Sequence, residues 1–299
     1  MVTSGRAPVG ALELAYETFG SPGDPAVVLV MGLGTQMLGW PDEFCRSLTG
    51  AGFFVVRFDN RDIGGSTHLR DTDVPALWRV LLHRTPPPYR LEEMAGDLLG
   101  LLDHLGLGKV HLVGASMGGF IAQLAAIAAP HRFVSLTLIM TSTGSRRVGH
   151  PHPRAGRQLL RRRPVRDRAD AIEASVQTFA VIGSPGFPAE PGYYREVAGE
   201  SFDRGYDPPG TQRQFLAVAV QTDRTAALRR LRIPTLVIHG LADPLVSPSG
   251  GLALARTIPG AVFLGFPGMG HDLPRPLWPR LVREIAGHAR DADRRDQPG

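Results

Sequence analysis

The chain of 299 residues has one cysteine, Cys45, and so cannot close an internal disulfide. No cluster of Cys and His has the spacing of a zinc site. No apolar run approaches the roughly eighteen residues of a membrane-spanning helix. The first residues, Met1 to Pro8, lack the apolar stretch of a secretory signal. The expectation is a protein of a reducing, cytoplasmic compartment with no membrane span. Lysine is nearly absent too. Lys109 is the only one, and arginine supplies 32 of the 33 cationic side chains. That skew reads as genome composition rather than function. There is no Gly-x-Gly-x-x-Gly after a strand and no phosphate loop ending in Gly-Lys-Ser/Thr. No cofactor and no metal are expected.

What is present is ordinary for a globular enzyme: 43% hydrophobic and 20% charged residues. The formal net charge of +5 is local. Nine arginines lie between Arg146 and Arg168 with Asp167 as the only acid, so that segment carries about +8 and the remainder about −3. A binding module for nucleic acid or another anion is the alternative of a different class. The segment has no aromatic residue on which a base could stack, so no nucleic-acid partner is expected. A preference for anionic esters remains open to it.

Strands and helices alternate along most of the chain. Residues 11–19 alternate apolar and polar, as a half-exposed strand does. Residues 26–31 are a continuous apolar run, the pattern of a strand covered on both faces, and 53–58, 134–140, 235–239 and 262–266 read as further strands. Helical periodicity marks 41–51, 91–105, 249–257 and 277–289, and the charged tail after Arg290 is expected to fray. This is an α/β pattern with a mostly parallel, doubly wound sheet. The alternation stops between 145 and 224, where helical pieces and Pro/Gly turns replace buried strands. We read 1–144 and 225–299 as the core and 145–224 as a mainly helical cap over the carboxyl ends of the strands.

The stretch Lys109 to Gly119 reads as a strand, then Gly114-Ala115-Ser116-Met117-Gly118, then an Ala-rich helix to about Ala129. A serine between glycines at a strand-to-helix turn is a nucleophile elbow. The turn is too tight for side chains at the two flanking positions, and the helix N-terminus favours developing negative charge. Two later loops carry partners of the right kind. One is Leu241-Ala242-Asp243-Pro244 after a strand, and the other is Gly268-Met269-Gly270-His271-Asp272. Cys45 lies in an amphipathic helix and reads as a small core residue, not a rival nucleophile.

The order Ser, Asp, His resembles that of the α/β-hydrolase fold superfamily, and the likeness covers nearly the whole chain. Val30-Met31-Gly32-Leu33-Gly34, Gly39-Trp40-Pro41-Asp42-Glu43-Phe44, Asp59-Asn60-Arg61-Asp62-Ile63-Gly64 and Gly268-Met269-Gly270-His271 narrow it. Together they look like actinobacterial carboxylesterase-type hydrolases, a group similar to the aclacinomycin methylesterases. The resemblance implies Ser116 as nucleophile, His271 as general base and acid, and Asp243 as the group that orients the imidazole. It implies an oxyanion hole made by the N–H groups of Leu33 and Met117. Met31 stands where many members have histidine, which leaves backbone donors untouched.

Serine esterase, acting as a carboxylesterase, is the expected activity. Polyketide methylesterase, thioesterase, lactonase and carbon–carbon bond hydrolase share the same triad. The expected partner is an apolar or aromatic small-molecule ester, met by Trp78, Phe179, Tyr193, Tyr194 and Phe202 from the cap and the 67–90 connection. Asp59 and Arg61 look catalytic by type but are expected to fix the loop after their strand. His111 and His239 are expected to be structural, and His150 and His152 exposed. The expected assembly is a monomer or homodimer.

Overall fold

The structure is a computed structural model that describes residues 2–160 and 165–296. Among the described residues, eight strands form one sheet: β1 (Val2–Val9), β2 (Leu12–Phe19), β3 (Ala26–Val30), β4 (Phe54–Phe58), β5 (Val110–Ala115), β6 (Phe133–Ile139), β7 (Thr235–Gly240) and β8 (Val262–Phe266). Their order is β1-β2-β4-β3-β5-β6-β7-β8. β1 and β2 form an antiparallel hairpin, β2 runs antiparallel to β4, and every other pairing is parallel. The helices are α1 (Asp42–Gly50), α2 (Leu77–Leu81), α3 (Leu91–His104), α4 (Met117–Ala128), α5 (Pro153–Leu160), α6 (Arg168–Ile182), α7 (Tyr193–Arg204), α8 (Pro208–Ala219), α9 (Thr225–Leu228), α10 (Ser249–Thr257) and α11 (Trp278–Asp296). The expected α/β fold with a mostly parallel sheet is the fold found.

Alternation within the strands explains the layers. Val28 and Val30 of β3 join one core with Leu98 of α3, Ile121 of α4 and Leu254 of α10. Val27 and Leu29 join the other with Phe44 and Leu48 of α1 and Leu281 and Ile285 of α11. Side chains two apart share a face, so both faces must be covered and the strand interiors read as continuous apolar runs. The chain leaves β3 toward β4 on one side and returns to β5 on the other. The gap between β3 and β5 is therefore the switch point where loops diverge and a ligand crevice opens.

Two departures from the sequence reading stand out. β1 carries no alternation that could have marked it; only Ala7 is buried, and pairing with β2 along its whole length makes it a strand. Of the tail after Arg290, residues 291–296 do not fray, because α11 continues to Asp296; residues 297–299 lie outside the described residues. Ala292 is buried, Lys109 Nζ lies 2.7 Å from Asp296, and His111 Nε2 lies 3.2 Å from Asp293. These ties to the start of β5 hold turns whose composition alone would leave them in solvent.

Residues 145–224 lie in the chain between β6 and β7 and contribute α5 to α8. Arg161, Arg162 and Arg163 of the arginine run fall outside the described residues. Arg166 pairs with Asp170 at 3.0 Å and Arg168 with Asp203 at 2.9 Å. Among the described residues, no helix is long and apolar enough to cross a membrane.

His111 and His239 are buried and His288 is half-buried, and desolvation holds each below the ordinary imidazole value of 6.5. Each is therefore neutral in the native state when the unfolded chain would already protonate. Stability is unaffected above that value and falls as pH drops below it. Urea titrations between pH 7 and 5.5 are expected to show a loss of up to about 1.4 kcal/mol per pH unit for each such histidine. A flat profile over that range would contradict this account.

Candidate active site

Ser116 sits where β5 becomes α4, at φ 55° and ψ −119°. A side chain at this backbone costs about 1–3 kcal/mol and persists only when its surroundings impose it. Here they do. The Ser116 N–H donates to the Ile139 carbonyl of β6 at 2.9 Å. A Cβ on Gly114 would overlap the Gly118 carbonyl, and one on Gly118 would strike the Val30 carbonyl of β3. A Cβ on Gly32 would stand 3.0 Å from Ser116 Cβ, so the exit of β3 passes directly beside the serine.

His271 Nε2 lies 2.9 Å from Ser116 Oγ, and His271 Nδ1 lies 2.7 Å from Asp243 Oδ2. Because the carboxylate only accepts, the proton belongs on Nδ1, and Nε2 offers its lone pair to the serine hydroxyl. Asp243 is fixed by its own loop: Oδ1 accepts from the Leu245 and Val246 N–H groups at 2.8 and 2.9 Å. Both His271 and Asp243 are buried, whereas Ser116 is partly open. Burial strengthens the charge coupling along this chain of hydrogen bonds.

The neighbouring acid has a different task. Asp272 accepts hydrogen bonds from Ser184 Oγ and from Tyr194 OH, the latter at 2.6 Å. Burial and the carboxylate push the Tyr194 phenol up, which keeps it a neutral donor. The His271 N–H donates to the Ile182 carbonyl at 2.7 Å, and the Gly186 N–H donates to the Gly268 carbonyl at 2.9 Å. The insertion thus grips the loop that carries the imidazole. Sequence reasoning missed these ties, since Ser184 and Tyr194 are about eighty positions from Asp272 and no local pattern joins them.

The N–H groups of Leu33 and Met117 have no acceptor among the described residues. For Met117 this follows from its place in the first turn of α4. Leu33 lies in a turn in which Thr35 N–H donates to the Gly32 carbonyl at 3.3 Å, with Gly34 at φ 65°. Positive φ at the third position is the type II pattern that glycine serves. The segment after β4 braces this turn. Asn60 Nδ2 donates to the Met31 carbonyl at 3.0 Å, and Asp59 Oδ1 accepts from the Met37 N–H at 2.6 Å. Arg61 is bound to Asp97 by two bonds of 2.6 Å. Asp59 and Arg61 therefore fix loops, as expected.

The expected substrate residues fall in separate places. Phe179 and Tyr194 are stacked at 4.2 Å, with Tyr193 5.3 Å from Tyr194. Phe202 stacks on Tyr206 instead, and Trp78 is 50% exposed on α2 with Arg79 and Arg84 over its ring. A cleft of about 1020 Å³ between α2 and the end of α8 is lined by Arg90, Arg146, Arg147, Val80 and Leu81 among others, and by none of Ser116, Asp243 or His271. His150 and His152 are exposed. Burial raises the Cys45 thiol to about 12, so it holds no thiolate near neutrality. Asp62, His68 and Asp207 bring ligand atoms within 4.8 Å of one another. The Arg213 guanidinium already lies 2.8 Å from Asp62 and 3.5 Å from Asp207, so the cluster reads as an ion-pair network.

Residues 25–274 match the family described as alpha/beta hydrolase fold. The chain belongs to that family. Among its relatives is the rhodomycin D methylesterase DauP of Streptomyces sp. strain C5, 30% identical over 296 residues, covering 92% of this chain and 94% of the relative. The 3-oxoadipate enol-lactonase 2 of Acinetobacter baylyi is 28% identical, covering 82% of this chain and 81% of the relative. Among solved structures, the 2-hydroxy-6-oxo-6-phenylhexa-2,4-dienoate hydrolase of Rhodococcus sp. strain RHA1 superposes with a TM-score of 0.75 at 25% identity, covering 97% of this chain and 99% of that one.

In this alpha/beta hydrolase the two amides on Asp243 Oδ1 make a sharp test. In Asp243→Asn the amide oxygen stays with those two donors, and Nδ2 must face His271 Nδ1. The ring proton then moves to Nε2, and the lone pair facing Ser116 is lost. Nitrogen-15 spectra of His271 should show the inverted tautomer, with Ser116 reacting with a fluorophosphonate on the order of a thousandfold more slowly. An unchanged tautomer and rate would remove Asp243 from this role.

Proposed function

We propose that this protein is a serine hydrolase that cleaves carboxylic esters. The observation that carries the reading is the continuous hydrogen-bonded chain from Ser116 Oγ through His271 to Asp243 at the N-terminus of α4. In this reading His271 Nε2 takes the Ser116 proton as Oγ attacks the ester carbonyl. Negative charge forms on the carbonyl oxygen, within reach of the Leu33 and Met117 N–H groups. Collapse expels the alcohol, which takes the proton from His271, and leaves an acyl-Ser116. Water then repeats the sequence, releasing the carboxylic acid and the free serine. Asp243 holds the ring and stabilises the imidazolium at each step without taking its proton.

Residues 145–224 act as a cap in this scheme. The aromatic group Phe179, Tyr193 and Tyr194 beside the histidine loop supports an apolar or aromatic acyl group. The name of the methylesterase relative supports a methyl ester as substrate. The names of the lactonase and hydrolase relatives support a second reading, in which the same serine opens a lactone or cleaves a carbon–carbon bond. The single buried cysteine supports a reducing, cytoplasmic setting.

The decisive measurement is turnover of aryl-carboxylic methyl esters, p-nitrophenyl esters and an enol lactone by wild type and by Ser116→Ala. Wild type is expected to cleave esters and to take a fluorophosphonate label. The alanine variant should lose several powers of ten in kcat with its fold intact. Ester turnover retained by Ser116→Ala would end the proposal, and lactone turnover without ester turnover would favour the second reading.

Specificity should reside in the cap. Tyr193→Ala and Phe179→Ala are expected to re-rank esters by roughly ten- to two-hundredfold. Tyr194→Phe removes a bond to Asp272 and should slow all esters alike. Uniform scaling by all three variants would make the cap a lid without selectivity.

A further inference from the structure

α8 reaches into the turn that carries Leu33. Its Gln214 is fully buried, and the side-chain amide is satisfied on both atoms. Oε1 accepts from the Gly34 N–H at 2.9 Å, and Nε2 donates to the Arg61 carbonyl at 2.8 Å. One partner is a donor and the other an acceptor, so the amide has one orientation.

The position of that bond matters. A peptide unit is a rigid plane, so holding its two ends fixes its direction. The unit joining Leu33 to Gly34 is held at its carbonyl by Thr35 Oγ1 at 3.3 Å and at its N–H by Gln214. The preceding unit, whose N–H belongs to Leu33, is held at the Gly32 carbonyl by Thr35. Gln214 is thus the tie from outside the turn on the plane next to the free Leu33 N–H.

We infer that Gln214 is a positioning residue for the oxyanion hole, acting through the Leu33–Gly34 peptide. The inference rests on the ester-cleaving reading above. Docking of the cap does not need this side chain. Arg213 and Arg204 already bind Asp62 and Asp59 with bonds of 2.8 and 2.9 Å. The choice of an amide also fits. A carboxylate would accept from Gly34 as well, but would set a negative charge near the developing oxyanion.

Gln214→Met keeps the volume and removes both bonds. Competent sites are counted by fluorophosphonate titration taken to completion, so that kcat refers to folded enzyme alone. An oxyanion hole is felt in the transition state and not in the bound ester. The expected result is a fall in kcat of about ten- to a hundredfold with KM within about threefold of wild type. Affinity for a trifluoromethyl ketone, which adds Ser116 and forms an oxyanion, should fall with kcat. Affinity for the corresponding amide, which does not, should hold. An unchanged kcat per titrated site, or a loss wholly in KM, overturns the inference. Should Gln214→Met not fold, Gln214→Asn, which keeps a neutral amide but is one methylene too short to span Gly34 and Arg61, takes the same measurements, with the same split expected. Wild-type protein that neither turns over esters nor takes the label would instead overturn the ester-cleaving reading itself.

Discussion

The backbone at Ser116 is the constraint around which the other parts are arranged. A non-glycine residue at φ 55° is uphill by itself, and β5, α4 and β3 must close on it without side chains between them. Gly114, Gly118 and Gly32 make that closure possible. It has two consequences. The hydroxyl projects from the end of the sheet, and the exit of β3 is drawn against the serine. A turn with a free N–H beside the serine is thus a by-product of the packing that strains it. The switch point between β3 and β5 lies at the same place, so the divergence of loops that opens the crevice and the strain that presents the serine share one cause.

The joint between core and insertion is polar beside the loops that carry Leu33 and His271. Arg213–Asp62, Arg204–Asp59, Gln214 on Gly34 and Tyr194 on Asp272 all cross it. Apolar surface would bury more area for the same contact, but it tolerates sliding. Hydrogen bonds with defined donors and acceptors do not. Breaking any of the buried ion pairs would leave a charge stranded, which is costly by several kcal/mol, so the joint has one register. Two loops depend on that register. One carries the imidazole, gripped at Gly268, His271 and Asp272. The other carries Leu33, gripped at Gly34.

What was legible in the sequence follows from the range of the interactions. The elbow is a local device, so five residues and their flanking periodicities disclose it. The two partner loops are legible because each ends a strand with a residue type the chemistry needs. β1 was not legible, since its pairing with β2 owes nothing to its own apolar pattern. The last turns of α11 were misread because the ties that hold them come from Lys109 and His111, far away in the chain. Asp272 illustrates the same limit. Its position beside His271 suggests only a surplus acid. Its partners, Ser184 and Tyr194, become visible when the insertion folds over it. Gln214 is an unremarked polar residue in a helix until Gly34 and Arg61 are placed beside it.

Position 31 shows how backbone chemistry frees a side chain. Members of the resembling group often carry histidine there, and this chain carries methionine. The Met31 side chain joins the core formed with α1 and α11, and a Cβ on Gly39 would stand 2.6 Å from its Sδ-methyl carbon. It therefore points into packing on that side of the sheet. The part of residue 31 that serves the turn is its carbonyl, held by Asn60. Any side chain that fills the same space satisfies both demands, because the donors facing the reacting carbonyl would be N–H groups further along the chain. A departure from the common motif at this position thus alters core packing, and leaves the backbone N–H groups of Leu33 and Met117 as they were.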